Sequence, residues 1–290
     1  MKDIKIITNP PGARGFSRTD LLAVVVMVAV LGAGLSFYLG KTRGSTTSVC
    51  AANLKQLGLA MALYEQDNGN RLPYAYLRFG RGTDFSPSKD VWDSLIMPLI
   101  PPGPDGLQQK HLLRCPADTI PGDKGNPRRT YAMPAHGNRE GDWPLAVDNR
   151  TGVGVWWDWG LGKHHTVFLT NFFTLKTTPK TDDTPGTATV TLPAFKLDQI
   201  PAPGSTLLLT ENAWPDNTLF NFHGAVIDSA QKHLATNLDL SLYHNGKINY
   251  LMVDGHVELL YPLESMGQAD PRDGQASQDY HNIWTVRSDD

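Results

Sequence analysis

The chain lacks the motifs by which common enzyme classes are recognised from sequence. Its 290 residues contain no Gly-x-Ser-x-Gly elbow and no His-Glu-x-x-His pair, so no specific hydrolase motif is present. It also has no lysine- or arginine-rich stripe, and its formal net charge is −3, which argues against a nucleic-acid-binding surface. We therefore expect neither an enzyme nor a protein that binds nucleic acid.

Charge and proline are missing from the N-terminal part of the chain. Residues 21–40 include no charged residue, and no proline occurs between Phe16 and Leu72. Twenty uncharged residues are enough to cross a hydrocarbon core about 30 Å thick as a helix. Because no proline interrupts the residues after this segment, the sequence predicts one continuous helix over residues 16–70, with a transmembrane part at about 21–40.

Basic residues flank the uncharged segment, with a small excess on its N-terminal side. They are Lys2, Lys5, Arg14 and Arg18 on one side and Lys41 and Arg43 on the other. Such an excess favours the cytoplasmic side, which places the C-terminal head in the periplasm. A secretory signal peptide is the main alternative. Its apolar core usually has roughly 7–15 residues, whereas here Gly32, Ala33 and Gly34 lie inside a longer core.

The junction before the uncharged segment, residues 15–22, reads GFSRTDLL. It resembles the cleavage and methylation signal of type IV pilins and type II secretion pseudopilins. The resemblance implies that a prepilin peptidase cuts after Gly15 and that the new N-terminal residue, Phe16, is methylated. It also implies that Asp20 pairs with the free amine of a neighbouring subunit, since an ionised group in lipid needs a partner. The alternative is that Asp20 only caps the helix.

A second pattern comes after the uncharged segment. Apolar residues recur at spacings of four, three, four and three, at Cys50, Leu54, Leu57, Met61 and Tyr64. This is one stripe of an α-helix, and we expect it to pack on the sheet of the head. Residues 68–70, Asn-Gly-Asn, and the following Pro73 predict the end of the helix.

Further stretches extend the resemblance. They are CAANLKQLGLA at residues 50–60, DNGNRLP at residues 67–73, and shorter landmarks at residues 113–116, 131–133 and 207–211. An H-x9-DG motif is also present, formed by His244, Asp254 and Gly255. Together these residues resemble a subfamily of pseudopilin-like proteins that carry this motif near the C-terminus.

The resemblance implies an α+β, pilin-like fold. In such a fold a long N-terminal helix, part membrane-spanning and part amphipathic, packs on an antiparallel β-sheet head. The expected domains are a leader over residues 1–15, the helix over 16–70, a head over 71–263 with an insert at about 134–193, and a tail over 264–290. The tail is polar, and we expect it to wrap the head or to stay mobile.

Two dipeptides in the head predict the turns of β-hairpins. Asn245–Gly246 and Asp254–Gly255 are typical of type I′ hairpins, and they flank one largely apolar segment. We therefore expect a three-stranded antiparallel meander there. Upstream, residues 91–97 predict a short helix capped by Ser88 or Asp90.

Cysteine is scarce, with Cys50 and Cys115 as the only examples. Neither has a second cysteine nearby, so the spacing does not match a zinc-binding pattern. Cys50 lies on the packing stripe and Cys115 in the head, and an oxidising periplasm permits a disulfide between them. Closing that loop would stabilise the fold by roughly 4 kcal/mol in the chain-entropy model. Two buried free thiols are the alternative.

The H-x9-DG motif leaves two interpretations open. In the structural one, Asp254 and Gly255 provide turn geometry and His244 bonds to a loop backbone. In the other, His244, Asp254 and Glu211 form a calcium or other metal site, or a catalytic site, if the fold brings them together. We expect the structural role and no cofactor. Three tryptophans within residues 155–159 can stack a sugar or line a core.

The function expected from this resemblance is structural. The chain is similar to pseudopilin subunits that assemble into a type II secretion pseudopilus or a type IV-like filament. The partners implied are prepilin peptidase, other pseudopilin subunits, an inner-membrane assembly platform and membrane lipid. The protein would begin as a single-pass inner-membrane precursor with a periplasmic head and end in a periplasmic or cell-surface filament. The alternative is a membrane-tethered periplasmic protein that binds a glycan or acts as a sensor.

Overall fold

The computed structural model describes much of the chain from residue 45 onward. The described residues are 45–79, 91–103, 109–122, 126–139, 152–159, 165–171, 174–179, 188–191, 194–219, 221, 223–236, 243–268 and 282–284. They belong to the second of two compact units, Ser45–Asp290, and the first unit is Met1–Gly44. The predictions for Gly15, Phe16, Asp20 and the transmembrane segment lie outside the described residues.

Helix α1 spans Thr46–Asp67 and begins at a distinct N-cap. Ser45 has a non-helical backbone (φ −55°, ψ 147°), and its side-chain oxygen accepts a hydrogen bond from the backbone N–H of Ser48. Serine favours this capping geometry over a helix interior because its hydroxyl competes for nearby backbone groups. The prediction of one uninterrupted helix over residues 16–70 is therefore wrong at Ser45. Within the described ranges, no helix combines the length and apolarity needed to span a membrane.

The C-terminal end of α1 matches the sequence signals. The Asn68 side chain donates a hydrogen bond to the carbonyl oxygen of Tyr64 at 2.8 Å. Gly69 and Asn70 then adopt left-handed backbone conformations, with φ values of 66° and 60°. Glycine and asparagine are the residues that tolerate this region best, so the chain leaves the helix here without large strain.

Seven strands of the described part form one mixed sheet. They are β1 (Tyr76–Phe79), β2 (Tyr131–Arg139), β3 (Gly154–Trp159), β7 (Leu207–Glu211), β8 (Val226–Ile227), β9 (Ile248–Met252) and β10 (Val257–Leu260). The order is β1-β3-β2-β7-β9-β10, with β8 also paired to β2. Pairing is antiparallel from β2 through β10, whereas β1, β3 and β8 join in parallel. The predicted antiparallel sheet is thus one part of a larger mixed sheet.

A separate three-stranded antiparallel sheet contains β4 (His165–Asn171), β5 (Thr174–Pro179) and β6 (Ala188–Thr191). Residues 134–193, expected as an insert, therefore contribute strands to both sheets. The first part supplies most of β2 and all of β3 to the main sheet, and the remainder forms the small sheet.

The antiparallel part of the main sheet is covered on both faces. Helix α1 packs against β9 and β10, and its stripe, Cys50, Leu54, Leu57, Met61 and Tyr64, is buried as predicted. Because successive strand residues point to opposite faces, Leu251 of β9 meets this core while Tyr250 and Met252 enter a second one. The second core also holds Ile283 and Trp284, so this piece of the tail packs on the head.

The predicted meander is half right. Strands β9 and β10 form the expected hairpin, but the prediction of a type I′ turn between them is wrong: Gly255 has a φ of 91°, whereas the φ of Asp254 is not positive. The other neighbour of β9, however, is β7 and not the segment just before Asn245. Asn245–Gly246 lies in a tight turn that begins at His244. The short helix α2 spans Trp92–Ile96 with Val91, rather than Ser88 or Asp90, at its N-cap.

Candidate functional site

The cysteines lie at the centre of the candidate site. Cys50, in the second turn of α1, is bonded to Cys115, with their Cα atoms 5.0 Å apart and neither residue exposed. Two hydrogen bonds support the same junction. Asn53 Nδ2 donates to the carbonyl oxygen of Arg114 at 3.3 Å, and the Tyr131 hydroxyl donates to the carbonyl oxygen of Cys50 at 3.3 Å. The start of α1 is therefore anchored to the head by covalent and polar contacts.

His244 lies against this disulfide. Its Nε2 atom is 2.9 Å from Glu211 Oε1 and 3.6 Å from Cys115 Sγ, and its Nδ1 atom is 3.0 Å from Thr47 Oγ1. Neither the His244 nor the Glu211 side chain is exposed to solvent. The expected contact with a loop backbone is thus replaced by contacts to three side chains.

An unusual turn holds His244 in place. His244, Asn245 and Gly246 have φ values of 25°, 58° and 91° in succession. Such conformations are costly for most residues and are tolerated best by asparagine and glycine. Asn245 and Gly246 therefore have the positive φ values predicted for a type I′ turn, and the backbone N–H of Lys247 donates to the carbonyl oxygen of His244 at 3.3 Å.

Glu211 ends strand β7, and its carboxylate is held by the neighbouring strand β9. The backbone N–H of Asn249 donates to Oε2 at 2.8 Å, and Asn249 Nδ2 lies 3.3 Å from both carboxylate oxygens. These donors offset the cost of burying an anionic group. Glu211 also raises the pKa of the neighbouring Tyr131, in addition to the larger effect of burial.

Asp254 does not join this cluster. His244 precedes β9 and Asp254 lies beyond it, and a five-residue strand separates its ends by roughly 17 Å. Asp254 Oδ1 instead accepts from the backbone N–H of His256 at 3.0 Å and lies 2.6 Å from His256 Nδ1. The predicted grouping of His244, Asp254 and Glu211 is therefore correct for His244 with Glu211 and wrong for Asp254.

At the exposed turn after β9, the His256 side chain contacts the carboxylates of Asp254 and Glu258. Burial raises the pKa of Asp254, but hydrogen bonds from His256 outweigh this effect, so the pKa lies below its usual value. Burial lowers the pKa of His256, but contacts with Glu258 and Asp254 outweigh it and raise the pKa. These opposite shifts mean that the ionised carboxylate and the protonated imidazole stabilise each other.

A buried arginine, Arg128, is linked to Cys115 by a chain of hydrogen bonds. Arg128 Nε donates to Asp118 Oδ2 at 2.9 Å, with both side chains fully buried, and Arg128 Nη2 donates to the carbonyl oxygen of Asn212. The same Asp118 oxygen accepts from the Thr130 hydroxyl at 2.6 Å, and Thr130 Oγ1 accepts from the backbone N–H of Cys115 at 2.9 Å. Arg128 thus helps to position Cys115 through a chain of hydrogen bonds.

Sequence reasoning did not identify Thr47, Asn249, Asp118 or Arg128. Asn249 carried a detectable signal, since it is a polar residue inside an otherwise apolar strand and therefore requires a buried partner. Of the tryptophan-rich segment, the backbone of residues 155–159 belongs to β3, and the side chains of the tryptophans lie outside the described part of the structure.

The donor atoms of the cluster limit what it can do. One ligand atom from each of Cys50, Cys115, Glu211 and His244 lies within 4.8 Å of the other three. The single carboxylate does not suit calcium, which takes about six to eight oxygen ligands. The complete burial of these side chains does not suit catalysis on an external substrate. The arrangement fits a structural junction between α1 and the head.

Comparison with known proteins adds no relative. No protein-family model, no curated protein and no solved structure matches this chain.

Proposed function

We propose that this chain is a structural pseudopilin subunit with a pilin-like fold. It is cleaved after Gly15 by prepilin peptidase and assembled through its N-terminal segment into a type II secretion pseudopilus or a type IV-like filament. One observation carries the proposal: an amphipathic helix comes after the apolar segment 21–40, and the second turn of that helix is tied covalently to the head through Cys50. The disulfide would therefore pass force applied at the start of α1 on to the head.

The outer face of α1 supports assembly with other subunits. Val49, Leu59 and Leu63 are 40%, 48% and 37% exposed, although each is a large apolar residue. Leu59 and Leu63 are four residues apart and hence neighbours on one helix face. A filament that buries this face against an adjacent helix would recover the free energy of transferring these side chains from water, about 25 cal/mol per Å² of apolar surface.

The apolar segment constrains how subunits move. Exposure of its twenty uncharged residues to water would be prohibitively costly, so a subunit does not leave the bilayer alone. Assembly therefore requires an inner-membrane platform that extracts the subunit and delivers it to its neighbours. The expected course is a precursor with its head in the periplasm, and then a periplasmic or cell-surface filament.

Intact mass of the full chain extracted from its native membrane tests the proposal. We expect loss of residues 1–15 and addition of one methyl group at Phe16. An uncleaved chain would instead indicate a simple membrane tether, as expected for a glycan-binding or sensing protein, and cleavage near Gly34 would indicate a secreted head. Either outcome would overturn the proposal.

Variants separate processing from assembly. Gly15→Val should block cleavage because it replaces the glycine after which the resemblance places the cut. Asp20→Asn should still be cleaved but should lose recovery in sheared filaments, since it removes the charge that pairs with a neighbouring amine. Asp67→Asn removes an exposed carboxylate at the far end of α1 and serves as the matched control, with processing and assembly retained.

A further inference from the structure

We propose that Cys50, Cys115, Glu211 and His244 form a zinc site when the disulfide is reduced. The four ligand atoms already lie within 4.8 Å of one another and are contributed by four different segments of the chain. Structural zinc sites are closed, four-coordinate and tetrahedral, with sulfur, nitrogen and carboxylate ligands. This inference does not depend on whether the chain assembles into a filament.

The observed distances are close to those that zinc requires. With zinc–ligand bonds of about 2.0–2.3 Å, the ligand atoms of a tetrahedral site are roughly 3.3–3.8 Å apart. The 3.6 Å between Cys115 Sγ and His244 Nε2 lies in this range, and the 2.9 Å between His244 Nε2 and Glu211 Oε1 is slightly shorter. The largest change required is separation of the two sulfur atoms to roughly 3.8 Å after their bond is broken.

The groups around the ligands are arranged as metal sites require. A histidine that binds zinc through one ring nitrogen usually donates its other N–H to a neighbouring oxygen, which fixes the tautomer and the ring orientation. Thr47 Oγ1, 3.0 Å from His244 Nδ1, is placed to accept that hydrogen bond. The backbone and side-chain nitrogens of Asn249 donate hydrogen bonds to the Glu211 carboxylate and so fix its orientation. Thr47 and Asn249 are therefore in position to orient the two ligands before any metal binds.

The chemistry of the site makes binding conditional on redox state. A phosphine and one water molecule convert the disulfide to two thiols: phosphorus supplies two electrons and takes the water oxygen as phosphine oxide, and the two water protons go to sulfur. Zinc binding then forms two Zn–S bonds and releases both thiol protons to solvent. Glu211 supplies one oxygen and neutral His244 one nitrogen. In the oxidised chain the sulfurs are bonded to each other, and no thiolate is available.

The ligand set selects the metal. Two thiolates and one imidazole are soft or borderline ligands that favour zinc over magnesium and calcium. The consequence for the fold is that α1 is connected to the head in both redox states: by the Cys50–Cys115 disulfide when oxidised, and by a metal ion bound to all four side chains when reduced.

The test uses the full chain in detergent, freed of metal and reduced under argon with a phosphine that is then removed. Zinc is titrated against a chromophoric chelator, and Co²⁺ is used as a spectroscopic substitute. We expect one zinc per reduced chain and none at this site on the oxidised chain. We also expect the cobalt form to show a thiolate-to-cobalt charge-transfer band and the intense visible bands of tetrahedral coordination.

Variants test the two ligands that are not cysteine. His244→Gln and Glu211→Gln should each weaken zinc binding by at least about tenfold. His256→Gln, on the exposed turn of the same motif, is the control and should bind as the unaltered chain does. If either ligand variant fails to fold, the zinc stoichiometry of the reduced and oxidised unaltered chains and the cobalt spectrum, whose visible bands report tetrahedral coordination, still test the proposal.

Three outcomes would overturn the proposal. They are a reduced chain that takes up no stoichiometric zinc, an oxidised chain that binds zinc equally well, and a cobalt spectrum without the thiolate band. Equal affinity in the folded His244 and Glu211 variants would also reject the four-ligand site, since it would leave the cysteines as the only ligands.

Discussion

His244 Nε2 lies 2.9 Å from Glu211 Oε1, and both side chains are completely buried. The pair connects the turn before β9 to the end of β7 and touches the disulfide through Cys115. The histidine of the H-x9-DG motif is thus part of an internal junction, whereas Asp254 serves an exposed turn after the same strand. The two ends of the motif have different structural roles.

Removal of the disulfide should lower stability substantially. The cysteines are separated by 65 positions, and a loop of that size contributes roughly 4 kcal/mol to the free energy of unfolding in the chain-entropy model. We expect Cys50→Ala combined with Cys115→Ala to lose about this amount in denaturant-induced unfolding. The double variant should be insensitive to reductant, whereas the unaltered chain should be destabilised by it. Equal stability of the two proteins in oxidising buffer would contradict this expectation.

Asp118→Asn should be far more damaging than a comparable change on the surface. It leaves the buried Arg128 without its anionic partner, and breaking a buried pair costs roughly 3–5 kcal/mol. Asp228→Asn is the matched control because its pair with Lys232 is about half exposed, and such pairs contribute about 1 kcal/mol or less. Denaturant-induced unfolding of both variants measures the difference. Similar losses would show that Asp118 has no special role.

A larger residue at position 58 should disturb the contact between α1 and the sheet. A Cβ atom at Gly58 would lie 3.3 Å from both methyl carbons of Leu251, so there is no room for further atoms without movement. We expect Gly58→Val to reduce the free energy of unfolding by about 1–3 kcal/mol through overpacking. Ala52→Val, on the exposed face of α1, controls for the lower helix propensity of valine and should cost less than about 1 kcal/mol.

Buried His233 should make the head sensitive to acid. It belongs to helix α3 (Ala230–Thr236), its ring lies 4.9 Å from the Trp284 ring, and burial lowers its pKa from 6.5 to about 3. Between those pH values the unfolded chain binds a proton that the folded chain does not, so stability falls as the pH falls below 6.5. The slope from this group approaches about 1.4 kcal/mol per pH unit.

His233→Gln should remove this component of the acid sensitivity. Thermodynamic stability is measured by denaturant unfolding at several pH values between about 4 and 7, a window set by the shifted titration of His233. His111→Gln, at an exposed position, is the control and should keep the slope of the unaltered chain. An identical pH dependence in the His233 variant would show that this histidine is not the source.

Local patterns predicted the features that depend on near neighbours in sequence. The buried stripe from Cys50 to Tyr64 follows from helical periodicity, and the end of α1 follows from the conformations open to Asn68, Gly69 and Asn70. The hairpin at Asp254–Gly255 was predicted for the same reason, although the type of its turn was not. Local reasoning failed at Ser45, where a side-chain cap begins helix α1 inside a stretch that contains no proline.

The pairing of distant residues required the tertiary structure. Glu211 and His244 are 33 positions apart, and Asp118 meets Arg128 inside the head, so no local periodicity links either pair. The sequence by itself determined the amphipathic helix, its end and the hairpin, because backbone preference and side-chain spacing act over a few residues. Only the tertiary structure decided that His244 joins Glu211 and the disulfide while Asp254 stays apart, because burial of charged groups is permitted only where the fold supplies partners.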